Sequence, residues 1–241
     1  MTLATNFIAA SLEDVSRLDA LVSLRHLTSL CGNSIVFSTS FGKEDQVITD
    51  MIYRMEGGIR IFTLDTGRLF AETYSVWTAT MERYGIPISV QVPDQEALEP
   101  FISLNGPNAF YSSPALRREC CRIRKVEPLK RALEGAQIWV TGIRSAQSPN
   151  RQSMQRWEWD EVNDIYKYHP LLDWTDEQLD EYVRLHEVPC NVLHERGFPS
   201  IGCAPCTRAV RPGEDPRAGR WWWESNDQKE CGLHQHGSPG Q

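Results

Sequence analysis

The 241-residue sequence predicts an α/β domain, a mostly parallel sheet with helices on both faces, followed by a C-terminal tail. Two observations carry that expectation. Short β-branched runs alternate with segments of helical period, and three of those runs end in small, polar or basic residues. A third observation bounds the domain: from Pro199 onward Gly and Pro recur and no long periodic segment survives, so loops and short turns are expected there. The expected division is one domain over residues 1–220 and a tail over 221–241.

The elements follow in order. Leu12, Val15, Leu18, Leu21, Val22 and Leu24 recur at roughly helical spacing and predict an opening helix. Ile35 to Phe37 form a β-branched run before small polar residues, and "EDQVITDMIYRM" resumes a helical period. The second strand, "IRIFTLDTG", ends in an Asp-Thr-Gly turn and precedes a helix from about Phe70 to Tyr84. "IPISVQVP" is a third strand. Helical "CRIRKVEPLKRALEG" leads into a fourth, "AQIWVTGIRS". "RWEWDEV" and "IYKYHPLL" pair as a hairpin or add an edge strand. "TDEQLDEYVRLHEV" predicts a helix capped by Thr175 with acidic residues in its first turn. Strands alternating with helices imply βαβ units and hence a parallel sheet.

Ligands of open parallel sheets bind at the carboxyl ends of the strands. Here the first tip carries Ser38, Thr39, Ser40, Gly42 and Lys43, the second Leu64, Asp65, Thr66 and Gly67, and the fourth Arg144. The amides of the first loop, at the start of the following helix, suit an anion such as a phosphate. Gly-Lys is followed by Glu44 and not by Ser or Thr, so this is no Walker A loop.

The net charge of −7 argues against a nucleic-acid binder held mainly by phosphate contacts. No run of about 18 apolar residues appears, so no membrane span is expected. The first twenty residues lack a basic region and carry acids, unlike a signal or transit peptide; a cytoplasmic location is expected. In that compartment the seven cysteines are not expected to form structural disulfides.

Their grouping is uneven. Cys31 and Cys190 stand alone, Cys120 and Cys121 are adjacent, Cys203 and Cys206 form a CxxC, and Cys231 sits in the polar stretch "KECGLHQH". Two pairs supply four ligands for one metal centre, either zinc or an iron–sulfur cluster. Zinc knuckles generally take CxxC at both ends, whereas vicinal thiolates fit a larger cube in which each reaches a different iron. Arg117, Arg118, Arg122, Arg124 and Lys125 crowd the first pair and can offset a tetrathiolate's negative charge.

Together "CCRIRKVEPL", "IGCAPCTR", "LDTG", "TGIRSAQS" and "KECGLH" resemble the assimilatory adenylyl-sulfate (APS) reductases, thioredoxin-dependent enzymes of sulfate assimilation. The resemblance runs from about Ser34 to His234. It implies an adenine-nucleotide α-hydrolase-like sheet, with residues 1–220 a nucleotide-binding reductase domain and 221–241 a tail bearing the catalytic cysteine. It also implies one 4Fe–4S cluster on Cys120, Cys121, Cys203 and Cys206, with Lys125 as the cluster's basic partner. Cys231 is the implied nucleophile, with His234 assisting. Arg144 or Arg151, together with Arg217 and Arg220, are the implied substrate contacts. The implied partners are APS and a thioredoxin or glutaredoxin-like reductant; a homo-oligomer is allowed. The first loop departs from the SGGxDS loop of ATP pyrophosphatases, as a reaction releasing no pyrophosphate requires.

The chemistry suits these parts. Attack on the sulfur of a sulfate–AMP mixed anhydride calls for a soft nucleophile, and a thiolate is one. A thiol that must first close over a nucleotide and then meet a partner's thiols belongs on a mobile strap rather than on a sheet. Other readings are a reductase of the 3′-phosphorylated substrate (PAPS) or of both substrates, a tRNA-thiolating enzyme, and a non-catalytic metal-and-nucleotide sensor. The paired cysteines favour APS over PAPS, the missing SGGxDS loop counts against thiolation, and a sensor could dispense with Cys231.

Overall fold

The computed structural model describes residues 15, 17–56, 58–147 and 151–224. Leu12, Cys231 and His234 lie outside the described residues, as does all of 225–241. Six strands form one sheet: β1 (Ile35–Thr39), β2 (Arg60–Leu64), β3 (Ser89–Gln91), β4 (Ile138–Val140), β5 (Trp157–Asp160) and β6 (Ile165–Tyr168). Their order is β3-β2-β1-β4-β6-β5, and every neighbouring pair is parallel except β5–β6. "RWEWDEV" and "IYKYHPLL" therefore do both things expected of them, pairing as a hairpin and closing one edge.

The strand tips converge because the helices return the chain between parallel strands. These are α1 (Ala20–Cys31), α2 (Lys43–Arg54), α3 (Ala71–Tyr84), α4 (Gln95–Asn105), α5 (Pro114–Cys121), α6 (Glu127–Leu133) and α7 (Asp176–His186). Successive strand residues point to opposite faces. Ile35, Phe37, Ile138 and Val140 accordingly enter the larger core with α1 and α2, while Val36, Phe62 and Trp139 meet Leu129 and Leu133 of α6 on the other face. Each fully buried apolar side chain contributes about 1.5–3 kcal/mol of transfer free energy.

The opening helix differs from expectation. Helix α1 begins only at Ala20, because Asp19 adopts an extended conformation and its carboxylate accepts from Leu21 N at 2.9 Å. That N-cap starts a new helix and leaves Leu18 outside it. Two further features were not expected: α4, which contains Pro100, and a π-helical turn over Arg122–Val126 between α5 and α6. Among the described residues no helix is long and apolar enough to cross a membrane.

Residues 221–224 stay on the body. Trp221 is 1% exposed and packs with Phe110, Cys203 and Cys206. Arg117 donates to both carboxylate oxygens of Glu224, at 3.0 and 2.9 Å, and its guanidinium lies 4.7 Å from the Trp221 ring.

Candidate functional site

A cavity of about 380 Å³ opens at the carboxyl edge of the sheet. From the first loop it is lined by Ser38, Thr39, Ser40 and Gly42, from the second tip by Leu64 and Thr66, and from the basic residues by Lys125, Arg144, Arg151, Arg217 and Arg220. The first loop is fixed from behind. Phe41 has a left-handed backbone (φ 60°), uncommon for a bulky residue, and is held by burial and a 5.3 Å stack on Trp77. Asp45, buried in the first turn of α2, accepts from Ser40 N and Oγ at 2.6 and 2.7 Å. Burial, opposed by those Ser40 bonds, raises its carboxyl to about 6. Gly142 is required beside it, since a Cβ there would come within 2.1 Å of Asp45 Oδ1.

Three residues of the strand tips are not part of the cavity wall. Lys43 bonds Asp180 at 2.6 Å. Asp65 accepts from Gly67 N at 2.8 Å and from Tyr74 Oη at 2.7 Å, so it builds the turn that Gly67 completes at φ +66°. Arg144 does line the cavity, but its side chain is 6% exposed and bonded to Glu44, Asp176 and the Trp174 carbonyl. Its charge is matched before any ligand arrives. Arg151 bonds Gln147 Oε1. Arg220 is buried over Trp221 at 4.9 Å with Nε unpartnered among the described residues, and its guanidinium lies so close over Gly202 that a side chain there would have to displace it.

Cys120, Cys121, Cys203 and Cys206 line one small cavity with Arg68, Arg117, Arg124 and Lys125. The π turn helps bring this about. Adjacent residues of an α-helix point about 100° apart, and opening the turn after Cys121 changes where the following Arg124 and Lys125 face. Arg118 and Arg122 stay at the surface, the latter paired with Glu119 and Glu127. Burial, reinforced by Cys203, pushes the Cys206 thiol up to about 12, and burial raises Cys120. Such thiols ionise only against added positive charge.

Among the described residues no group of three or more His, Cys, Asp or Glu side chains converges closely enough to hold one metal ion. Zinc at ~2.3 Å from each sulfur would need thiolates ~3.8 Å apart. Among the described residues the four thiols and four cations thus ring one cavity without converging on a single point.

The two cavities share a wall. Lys125 lines both. Thr66, at the main cavity, lies 3.3 Å through Oγ1 from Cys203 Sγ, and its carbonyl accepts from Arg124 at 2.5 Å. Sequence reasoning missed Asp45, Thr141 and His194 in the main cavity, because neither periodicity nor turn chemistry marks them.

Residues 34–209 match the family model described as the phosphoadenosine phosphosulfate reductase domain. The adenosine 5′-phosphosulfate reductase of Allochromatium vinosum is 51% identical over 202 residues, 84% of this chain and 79% of that protein. The one from Burkholderia cepacia is 48% identical over 233 residues, 97% of this chain and 91% of that protein. Among solved structures, phosphoadenylyl-sulfate (PAPS) reductase from Candida auris, in a phosphate complex, superimposes with a TM-score of 0.72 and 26% identity, covering 87% of this chain and 99% of that one. A Candida glabrata FMN adenylyltransferase, at TM-score 0.52 and 17% identity over 82% of this chain and 68% of its own, shares the fold alone.

Proposed function

Because the chain belongs to the phosphoadenosine phosphosulfate reductase domain family, we propose that the main cavity holds adenylyl sulfate with its sulfate directed toward the wall shared with the cysteine site. The chain is an oxidoreductase acting on sulfur that reduces APS in sulfate assimilation, as its relatives at 46–51% identity are APS reductases. The observation that carries the site reading is the shared wall: Lys125 borders both cavities, and Thr66 touches Cys203.

In this reading Ser38, Thr39, Ser40, Gly42, Leu64 and Thr66 receive the nucleotide, and Arg151, Arg217, Arg220 and Lys125 receive its anionic groups. Planar guanidinium donors suit phosphate and sulfate oxygens. Arg144 holds the wall together through Glu44 and Asp176, while Asp65 and Gly67 shape the turn. Lys43, first expected as a contact, is left to Asp180.

The Cys231 thiolate attacks the sulfate sulfur. A sulfur–sulfur bond forms as the sulfur–oxygen bond to AMP breaks, and AMP departs with that electron pair. A thiolate of a thioredoxin or glutaredoxin-like dithiol then attacks Cys231 Sγ, and sulfite leaves with the electrons of the sulfur–sulfur bond. The reductant's second thiol resolves the mixed disulfide, so the dithiol is oxidised by two electrons and Cys231 is restored. His234 is assigned to positioning or protonation near Cys231. Cys120, Cys121, Cys203 and Cys206 would hold a 4Fe–4S cluster, which when bound supplies a fixed electrostatic field beside the sulfate. The setting proposed is the cytoplasm.

The test is anaerobic purification, an optical spectrum, and sulfite release from APS and PAPS with thioredoxin. An iron–sulfur absorption band and turnover favouring APS are expected. Cys231→Ser should abolish sulfite release while leaving AMP binding within about two-fold; sulfite release by C231S at the wild-type rate would sink the mechanism.

A further inference from the structure

Trp221, Trp222 and Trp223 are consecutive, yet they do different things. Trp221 is buried beside Cys203 and Cys206, Trp223 packs partly against the same cluster, and Trp222 is 40% exposed. The backbone makes this division. Trp221 takes a left-handed conformation (φ 42°), uncommon for a bulky residue, while its N–H bonds the Cys206 carbonyl at 3.1 Å. The turn is held at its other end by Arg117 on Glu224.

Trp222 and Trp223 join Tyr111 in one aromatic surface cluster. Tyr111 is 45% exposed; its ring centre lies 4.5 Å from that of Trp223 and 6.3 Å from that of Trp222, and the two indoles meet edge-on at 4.8 Å. The cluster is anchored, because Tyr111 Oη donates to the Pro205 carbonyl, between Cys203 and Cys206, at 2.7 Å. Apolar side chains exposed singly are ordinary on a protein surface. Large aromatic rings exposed side by side have the composition of a protein interface, where Tyr and Trp supply much of the binding energy. Rings already held in place also lose little rotamer freedom when a partner covers them.

Residues 225–241 are poorly suited to cover the cluster, since Cys231, Leu233 and Pro239 are their only apolar side chains. They do carry Cys231, nine residues after Trp222, and nine residues span at most about 30 Å. A domain of about 100 residues is about as wide. A protein that touches Cys231 Sγ is therefore large enough to rest on the cluster at the same time. Resting on the reading of Cys231 as the S-sulfocysteine carrier, we propose that Tyr111, Trp222 and Trp223 form the docking surface for the dithiol protein that reduces it. A docked reductant keeps its thiolate close to Cys231 and raises the effective concentration of the two sulfurs. None of the three aromatics lines the main cavity, so the surface serves the second half-reaction and leaves the attack on APS untouched.

The experiment compares two reductants, thioredoxin and excess dithiothreitol, on the anaerobically purified full chain and its Trp222→Ala variant. A small dithiol needs no docking surface. W222A should therefore raise the KM for thioredoxin about ten-fold, while sulfite release driven by dithiothreitol and the burst of AMP from APS without reductant stay at the wild-type level. No AMP burst from the wild type would overturn the reading of Cys231 and this proposal with it. A normal burst with an unaltered thioredoxin KM in W222A overturns the docking surface alone. So does an equal loss with both reductants, which would place Trp222 in the fold, or a changed sedimentation coefficient, which would make the cluster a contact between copies of this chain. If W222A does not fold, the wild type supplies the test. Thioredoxin lacking its second cysteine is trapped on Cys231 as a mixed disulfide, and hydroxyl-radical oxidation of Trp222 and Tyr111 should fall in that complex. Undiminished oxidation there overturns the proposal.

Discussion

Two charged residues of the main cavity show how burial decides a side chain's role. Arg144 was expected to meet substrate, yet its guanidinium is already shared among Glu44, Asp176 and the Trp174 carbonyl. A buried, fully bonded guanidinium has few donors left for a ligand, whereas Arg220, also at the cavity wall, keeps an Nε without a partner among the described residues. Asp45 shows the converse, because a carboxyl at the head of a helix that looks like an ordinary first-turn acid is buried behind Ser40. Its folded pKa of about 6 lies above the ~3.9 of an unfolded Asp, so in that window the native state binds more protons. Its contribution to stability is therefore lost as pH rises from about 4 through about 6, and is flat above. Asp45→Asn cannot titrate but keeps an oxygen for Ser40 N and Oγ. The expectation is that D45N gains roughly 2 kcal/mol on the wild type between pH 4 and pH 7, from a shift of about two units whose first part is already spent at pH 4. Urea denaturation at both pH values measures it, and a stability gap that does not change with pH contradicts the burial argument.

At the level of elements, local chemistry was legible wherever it acts through neighbours in sequence. Helix α7 is the clearest case. Thr175 accepts from Gln178 N at 3.2 Å and Gln178 Oε1 returns the bond to Thr175 N at 2.9 Å, a complete capping box. Thr175→Ala should cost about 1 kcal/mol in chemical denaturation, and a larger loss in APS binding than in stability is not expected, because only Asp176 of this turn reaches the cavity wall. The strands were equally visible, since Ile35–Phe37 and Ile138–Val140 are continuous apolar runs buried on both faces of a parallel sheet. Elements without a local signature escaped. Helix α4 buries none of its residues and contains Pro100, so neither an apolar stripe nor a clean helical composition announces it. The π turn over Arg122–Val126 has no sequence code; it is set by packing Ile123 and Arg124 inward while Arg122 stays at the surface. Tertiary contacts decide such places. The cysteine pairs were legible as two pairs, but the wall their cavity shares with the main one depends on Thr66 meeting Cys203, and on Lys125 lining both, across the fold.

For the whole molecule, the division between body and tail decides how Cys231, the proposed nucleophile, could be carried without costing the fold. The expected boundary at residue 220 cuts through packed structure. Trp221 packs with Phe110, Cys203 and Cys206, and Glu224 neutralises an Arg117 side chain that is 2% exposed. Removing that carboxylate would strand a buried cation, and removing the indole would open a cavity beside Cys206; either loss is worth several kcal/mol, though neighbouring losses do not simply add. Two truncations separate fold from reaction. A chain ending at Glu224 keeps both contacts, so it should retain AMP affinity and a thermal midpoint close to the parent, while losing all sulfite release because Cys231 is gone. A chain ending at Arg220 should lose roughly 5 kcal/mol of stability and fail to assemble the four-cysteine site, seen as a lost optical band on anaerobic purification. Equal stability of the two truncations would mean that Trp221 and Glu224 are passengers. A Glu224-terminated chain clearly less stable than the full-length parent would place structural weight on residues 225–241 and refute the view that they serve the reaction alone.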